Sequence, residues 1–140
     1  MKQSIKINGV LNRPGFDLSV DLDLDLRAPA GITGETGAGK TTVLRIITGL
    51  EPRFFGRLQF GEEVWTDTTC PKPLHLPTHL RGVGAVFQDS RLLPGRTVGA
   101  NLDYARRRAS QSKFVISREE ITDALSLKML LGQSVESLSG

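Results

Sequence analysis

The residues of this chain best suited to chemistry lie between Gly34 and Thr42, in the run GETGAGKTT. Gly34, Gly39, Lys40 and Thr41 satisfy G-x-x-x-x-G-K-[ST], the template of a loop that holds a polyphosphate. With residue frequencies like these, the template arises by chance about one time in a hundred, and the additional Gly37 lowers that further. The residue types follow from the task. Backbone N–H groups in a tight loop feeding a helix N-terminus bind anions, and glycines let the backbone approach them closely. Lys40 supplies a mobile cation for the outer phosphates, and Thr41 supplies a hydroxyl for a phosphate-bound Mg²⁺.

A loop of this kind must be delivered by a strand and followed by a helix. Ala28–Thr33, APAGIT, occupies the place of the strand, although Pro29 and Gly31 both weaken a central strand. After the loop, Val43, Leu44, Ile46, Ile47 and Leu50 recur at helical spacing. Gly49 and Pro52 then stop the helix after about three turns. Upstream, Ile5 and Ile7 predict a first strand, and Asn12–Gly15 is a turn cluster. From Phe16 to Arg27 apolar and polar residues alternate without a break, with Phe16, Leu18, Val20, Leu22, Leu24 and Leu26 on one face. Such alternation predicts a strand of an antiparallel sheet, buried on one side and wet on the other. Its aspartates line a solvated face rather than converging on a cation.

Further along, Leu58 and Phe60 alternate across Gly61–Glu63 towards Val64 and Trp65 and predict a hairpin; Thr66–Pro77, with its prolines, predicts a loop. Val83–Phe87 predicts a short strand that ends at Gln88 and Asp89, and ligands of open α/β sheets sit at that edge. Thr97 is placed to cap a helix through Val98, Leu102 and Ala105, and Ser117 with Glu120 forms a capping box for another.

Composition narrows the classes of function. The chain has 140 residues, 39% of them apolar, and a formal charge of +3. That is enough for one core and too little positive charge for a nucleic-acid surface. Arg106–Arg108 is its one tight basic run, best placed at a solvated helix end. No stretch has the length of a membrane span or a signal peptide, and the single Cys70 allows no internal disulfide. A soluble chain of the cytoplasm is expected.

The order of phosphate loop, VGAVFQD at Val83–Asp89 and LSG at Leu138–Gly140 resembles the ATP-binding subunit of an ABC transporter. Arg81–Asn101, RGVGAVFQDSRLLPGRTVGAN, is similar to the molybdate-importer branch of that family, as is the hairpin GRLQFGEEVWTD. The resemblance implies an α/β P-loop nucleotide-binding domain, with an N-terminal antiparallel β layer, the first part of the mixed α/β core and the start of a helical subdomain. It places layer and core in 1–88, and the Q-loop and helical subdomain in 89–140.

It also implies roles. Gly34, Thr36, Gly37, Ala38, Gly39, Lys40, Thr41 and Thr42 would hold the ATP phosphates, and Thr41 and Gln88 the Mg²⁺. Lys40 and Gln88 would serve catalysis, Gln88 near the attacking water and at the contact with the membrane subunit. Ser139 and Gly140 would act in trans on ATP bound by a second copy, in a head-to-tail dimer. Phe16 is the candidate for stacking on adenine; it equally fits the first core position of its strand. The partners implied are a second ATP-binding subunit, the permease and, indirectly, a substrate-binding protein. The place implied is the cytoplasmic face of the membrane.

Two departures from the family pattern shape the expectations. The run before the loop is short by about three residues, equivalent to about 10 Å of strand. The family's Asp–Glu strand end and switch His would follow Gly140, so these 140 residues are expected to bind ATP without turning it over. The alternatives are a non-hydrolysing nucleotide-binding fragment and an importer subunit for sulfate, iron or polyamine.

Overall fold

The computed structural model describes residues 4–89, 92–108 and 116–138. The chain divides into two compact units, Met1–Ala85 and Val86–Gly140.

The first unit is an antiparallel sheet with one helix on its inner face. Its strands are β1 (Ser4–Arg13), β2 (Phe16–Asp25), β3 (Phe55–Phe60), β4 (Glu63–Asp67) and β5 (Leu74–His75), in the order β2-β1-β3-β4-β5. The alternation read from Phe16 onward is realised residue by residue: Val20 is buried, the other apolar positions of β2 are half-buried, and every aspartate is exposed. Pro14 and Gly15 close the β1–β2 hairpin, with Gly15 at φ 75° in the left-handed region that glycine enters without penalty. Helix α1 (Lys40–Ile47) lays Val43 and Ile46 against Ile5, Ile7, Val20, Leu58 and Trp65, and this contact is the core of the unit. It runs for about two turns, shorter than the apolar spacing predicted, because Thr48 caps it and Gly49 (φ 77°) reverses the chain. The amides of Gly49 and Leu50 close on the carbonyls of Ile46 (3.1 Å) and Arg45 (2.8 Å) in a Schellman arrangement.

At the centre of the sheet two glycines face each other. Gly9 on β1 pairs with Gly56 on β3, and the Phe54 ring fills the space their missing side chains leave. A Cβ on Gly9 would lie 2.4 Å from the Phe55 carbonyl oxygen and 2.7 Å from the Gly56 Cα, both backbone atoms that cannot swing aside. Gly9→Ala is therefore expected to cost about 2–3 kcal/mol, as overpacking against fixed neighbours does. A urea melt with an unchanged midpoint would disprove the close approach.

Neither of the strands expected around the ligand edge forms. Residues 26–35 make no strand, and 28–38 are exposed; residues 83–87 belong to no strand either, with Val86 fully exposed. A strand is made by the ladder it shares with a neighbour, so a short apolar run does not form one by its own pattern. In place of the first of them lies an apolar groove of ≈ 480 Å³ lined by Leu24, Leu26, Ile32, Leu44 and Ile47. The predicted loop Thr66–Pro77 is shorter than expected, since β4 runs to Asp67 and β5 pairs with it.

The second unit holds α2 (Val98–Arg108) and α3 (Arg118–Ala124). Thr97 accepts the Ala100 amide on its hydroxyl (3.2 Å) and so caps α2 as predicted. The capping box of α3 is complete: Ser117 Oγ accepts from the Glu120 amide and the Glu120 carboxylate from the Ser117 amide. Those bonds hold the Glu120 carboxyl below its ordinary pKa.

Candidate phosphate-binding site

The loop between the sheet and α1 owes its shape to glycines. Gly37 (φ 86°) and Gly39 (φ 92°) occupy left-handed conformations. A Cβ on Gly39 would also sit 3.0 Å from Leu18 Cδ1 and 3.1 Å from Phe16 Cζ, so the loop can lie on β2 only because that side chain is missing. Gly39 is the N-cap of α1 and offers no side chain to the first-turn amides, and no acidic residue stands in that turn. The first amide along α1 to close on the loop is that of Val43, which donates to the Gly39 carbonyl (2.9 Å). The amides before it are the donors a helix N-terminus presents to an anion. Ala38 differs from the other predicted positions, because its N–H donates within the loop to the Glu35 carbonyl (3.2 Å).

Lys40 folds back over the loop and donates from Nζ to the carbonyls of Gly34 (2.9 Å) and Glu35 (2.6 Å). An ammonium has three donors, so one remains beyond the loop's own needs. Thr41 is exposed and Thr42 half-buried. Between this loop and the tip of the β1–β2 hairpin lies a cavity of ≈ 430 Å³, within the size range of small-molecule sites. Gly37, Gly39, Lys40, Thr41 and Thr42 line it on the loop side; Phe16 lines it on the hairpin side, with Arg13 and Pro14. Phe16 is half-buried and serves both readings, as the first inward residue of β2 and as an aromatic wall of the cavity. Gly34 and Thr36 are exposed members of the loop outside that lining.

A family model described as "ABC transporter" matches residues 18–140. The chain belongs to the ABC transporter family. Among its curated ABC relatives, the molybdenum import ATP-binding protein ModC of Methylococcus capsulatus is 41% identical over 127 residues, covering 91% of this chain and 34% of the relative. ModC of Thiobacillus denitrificans is 38% identical over 130 residues, covering 93% of this chain and 35% of the relative. For ModC of Vibrio parahaemolyticus the figures are 38% over 140 residues, 100% of this chain and 36% of the relative. The chain thus spans about a third of the length of the curated relatives it matches. The antiparallel sheet of the first unit, with α1 against it, is consistent with the N-terminal part of an α/β nucleotide-binding domain.

Gln88 is exposed near the start of the second unit, and Ser139 and Gly140 lie outside the described residues. Among the described residues no group of three or more His, Cys, Asp or Glu is arranged to hold a metal ion. Two charged groups escaped the sequence reading. Arg13, at the end of β1, lines the cavity. Glu51, with its side chain 2% exposed, pairs with Arg13 and also accepts from Arg45 Nε (2.8 Å). No local pattern marks either: the partners stand 38 and 6 residues apart.

Proposed function

We propose that this chain is the N-terminal part of the ATP-binding subunit of an ABC importer, with ATP in the cavity between the hairpin tip and the phosphate loop. The observation that carries the reading is the cavity itself, in which a glycine-shaped helix N-terminus, Lys40 and the Phe16 ring face one space. Gly37, Gly39, Lys40, Thr41 and Thr42 hold the phosphates in this reading, with Gly34, Thr36 and Ala38 shaping the loop around them. Phe16 stacks on the base. Thr41 and Gln88 would be the protein's ligands to a phosphate-bound Mg²⁺, which would neutralise charge on the phosphates.

The names of the relatives support molybdate as the cargo of the importer. Catalysis then needs a head-to-tail second subunit, whose Ser139 and Gly140 reach the γ-phosphate, and a permease that converts closure into transport. Residues 1–88 form the layer and core, and 89–140 the Q-loop and helical part. The chain works at the cytoplasmic face of the membrane, held by the permease; among the described residues no helix is long and apolar enough to cross it.

The test is nucleotide binding by the 140-residue chain. Mg²⁺–ATP at a hundred times its dissociation constant stabilises a folded protein by about 2.7 kcal/mol, a rise of about 5 °C or more in Tm for a domain of this size. In this reading the general base for water is not among these residues, so phosphate release is expected to stay at the buffer background. A Tm unmoved by millimolar Mg²⁺–ATP defeats the proposal, and steady turnover defeats its second half.

A further inference from the structure

We infer that Arg13 is a second cation for the nucleotide phosphates, held in place by the buried carboxylate of Glu51. This rests on the cavity being the ATP site. Arg13 and Lys40 line that cavity from different elements, Arg13 at the end of β1 and Lys40 at the start of α1. Its surroundings fix the guanidinium. Arg13 Nη2 donates to Glu51 Oε2, and the other oxygen of Glu51 accepts from Arg45 Nε (2.8 Å), while Arg45 also donates to the Leu50 carbonyl (3.3 Å). A carboxylate this deeply buried needs compensation, and two arginines provide more than it requires.

The charge count is what points outward. Two guanidinium groups against one carboxylate leave a net positive charge, and the Arg13 side chain is 36% exposed against 2% for Glu51. A guanidinium has five N–H donors in a rigid fork, of which the bond to Glu51 uses one. The bond to Glu51 does not use the other four, and Arg13 lines the cavity, where a phosphate oxygen is the acceptor that matches the fork. Glu51 is then a positioning residue. Its carboxylate ties the hairpin tip to the segment after α1, so that the cation on β1 keeps a constant distance from the phosphate loop.

Calorimetric titration of the 140-residue chain with Mg²⁺–ATP tests the assignment. Arg13→Met is expected to weaken binding about tenfold. Arg13→Lys keeps the charge but not the fork, and its affinity is expected to fall between those of the wild type and Arg13→Met. Glu51→Gln leaves the cation but loosens it, and an intermediate loss is expected. Should Arg13→Met fold poorly, the double variant Arg13→Met/Glu51→Gln removes the buried carboxylate along with the cation, and the same tenfold loss is expected. A merely structural Arg13 would alter Tm and leave the affinity of the folded protein alone. Equal affinities of wild type and a folded methionine variant overturn this inference and leave the ATP site standing. A wild-type chain that binds no ATP overturns both.

Discussion

Arg81→Ala is expected to destabilise the first unit by about 3–5 kcal/mol, the cost of stripping a buried charge from its acceptors. A whole domain of this size is held by only about 0.05–0.15 kcal/mol per residue, so the variant should be largely unfolded at 37 °C. Arg81 is 3% exposed and donates to four acceptors. Nη1 reaches the carbonyls of Ile46 and Ile47, each at 2.9 Å; Nε reaches the Leu76 carbonyl at 2.8 Å, and Nη2 the Thr66 hydroxyl at 3.0 Å. The first two are carbonyls of the last turn of α1, the negative end of the helix dipole, and that of Ile46 also accepts from the Gly49 amide (3.1 Å). One side chain thus ties α1 to β4 and to the approach of the 3₁₀ turn Thr78–Leu80, with its guanidinium 5.8 Å from the Trp65 ring centroid.

Burial pushes the pKa of Arg81 down from its ordinary value, yet a guanidinium begins so high that the group stays charged at neutral pH. Removing it takes a donor from each of four acceptors, three of them fixed in the backbone. Arg81→Lys should recover little, since three donors on a flexible stem cannot span four acceptors in different directions. Gly49 belongs to the same device: a Cβ there would lie 2.7 Å from Arg81 Cζ, on a residue already at φ 77°. A urea midpoint for Arg81→Ala within error of the wild type would refute this account.

Arg81 also shows where a sequence stops being readable. Periodicity and turn chemistry are local, and what they govern came out as expected: the alternation of β2, the Pro14–Gly15 and Gly61–Glu62 turns, the stop at Gly49 and the Ser117 capping box. The phosphate loop was legible for the same reason, its geometry being set by glycines within a few residues of one another. By contrast, Arg81, Arg13 and Glu51 are explained only by partners up to 38 residues away. A charged residue beside a turn reads as solvent-exposed until the acceptors arrive.

The two missing strands fail for a related reason. A buried strand of a parallel sheet is specified by the strands on either side more than by its own pattern. Ala28–Thr33 carries Pro29 and Gly31, and Val83–Phe87 is interrupted by Gly84; neither run joins the ladder of the sheet. Leu44, 52% exposed although its spacing places it on the apolar stripe of α1, marks the side of the helix left uncovered.

Lys40→Met should leave that framework intact and weaken Mg²⁺–ATP binding about a hundredfold, equivalent to about 2.7 kcal/mol. Methionine keeps most of the side chain's length and removes its charge, so the comparison isolates the ammonium. In the free protein the ammonium spends two donors on the carbonyls of Gly34 and Glu35. Both bonds are exposed, and solvent-exposed hydrogen bonds of this kind add about 1 kcal/mol or less each to stability. The Tm without nucleotide should accordingly fall by only a few degrees. Affinity should suffer far more, because a charge-assisted bond to phosphate is made in a site where backbone amides and Arg13 already concentrate positive potential. Lys40→Arg should restore part of the charge effect and less of the geometry. Its planar fork cannot bond the Gly34 and Glu35 carbonyls at 2.9 and 2.6 Å while pointing a third donor into the cavity. If Lys40→Met bound Mg²⁺–ATP within threefold of the wild type, the loop would be holding its shape for something other than a polyphosphate. The pairing of a large loss in affinity with a small loss in Tm is the opposite of the Arg81→Ala pattern. Measured on the same chain, the two variants separate the residue that binds from the residue that holds the helix in place.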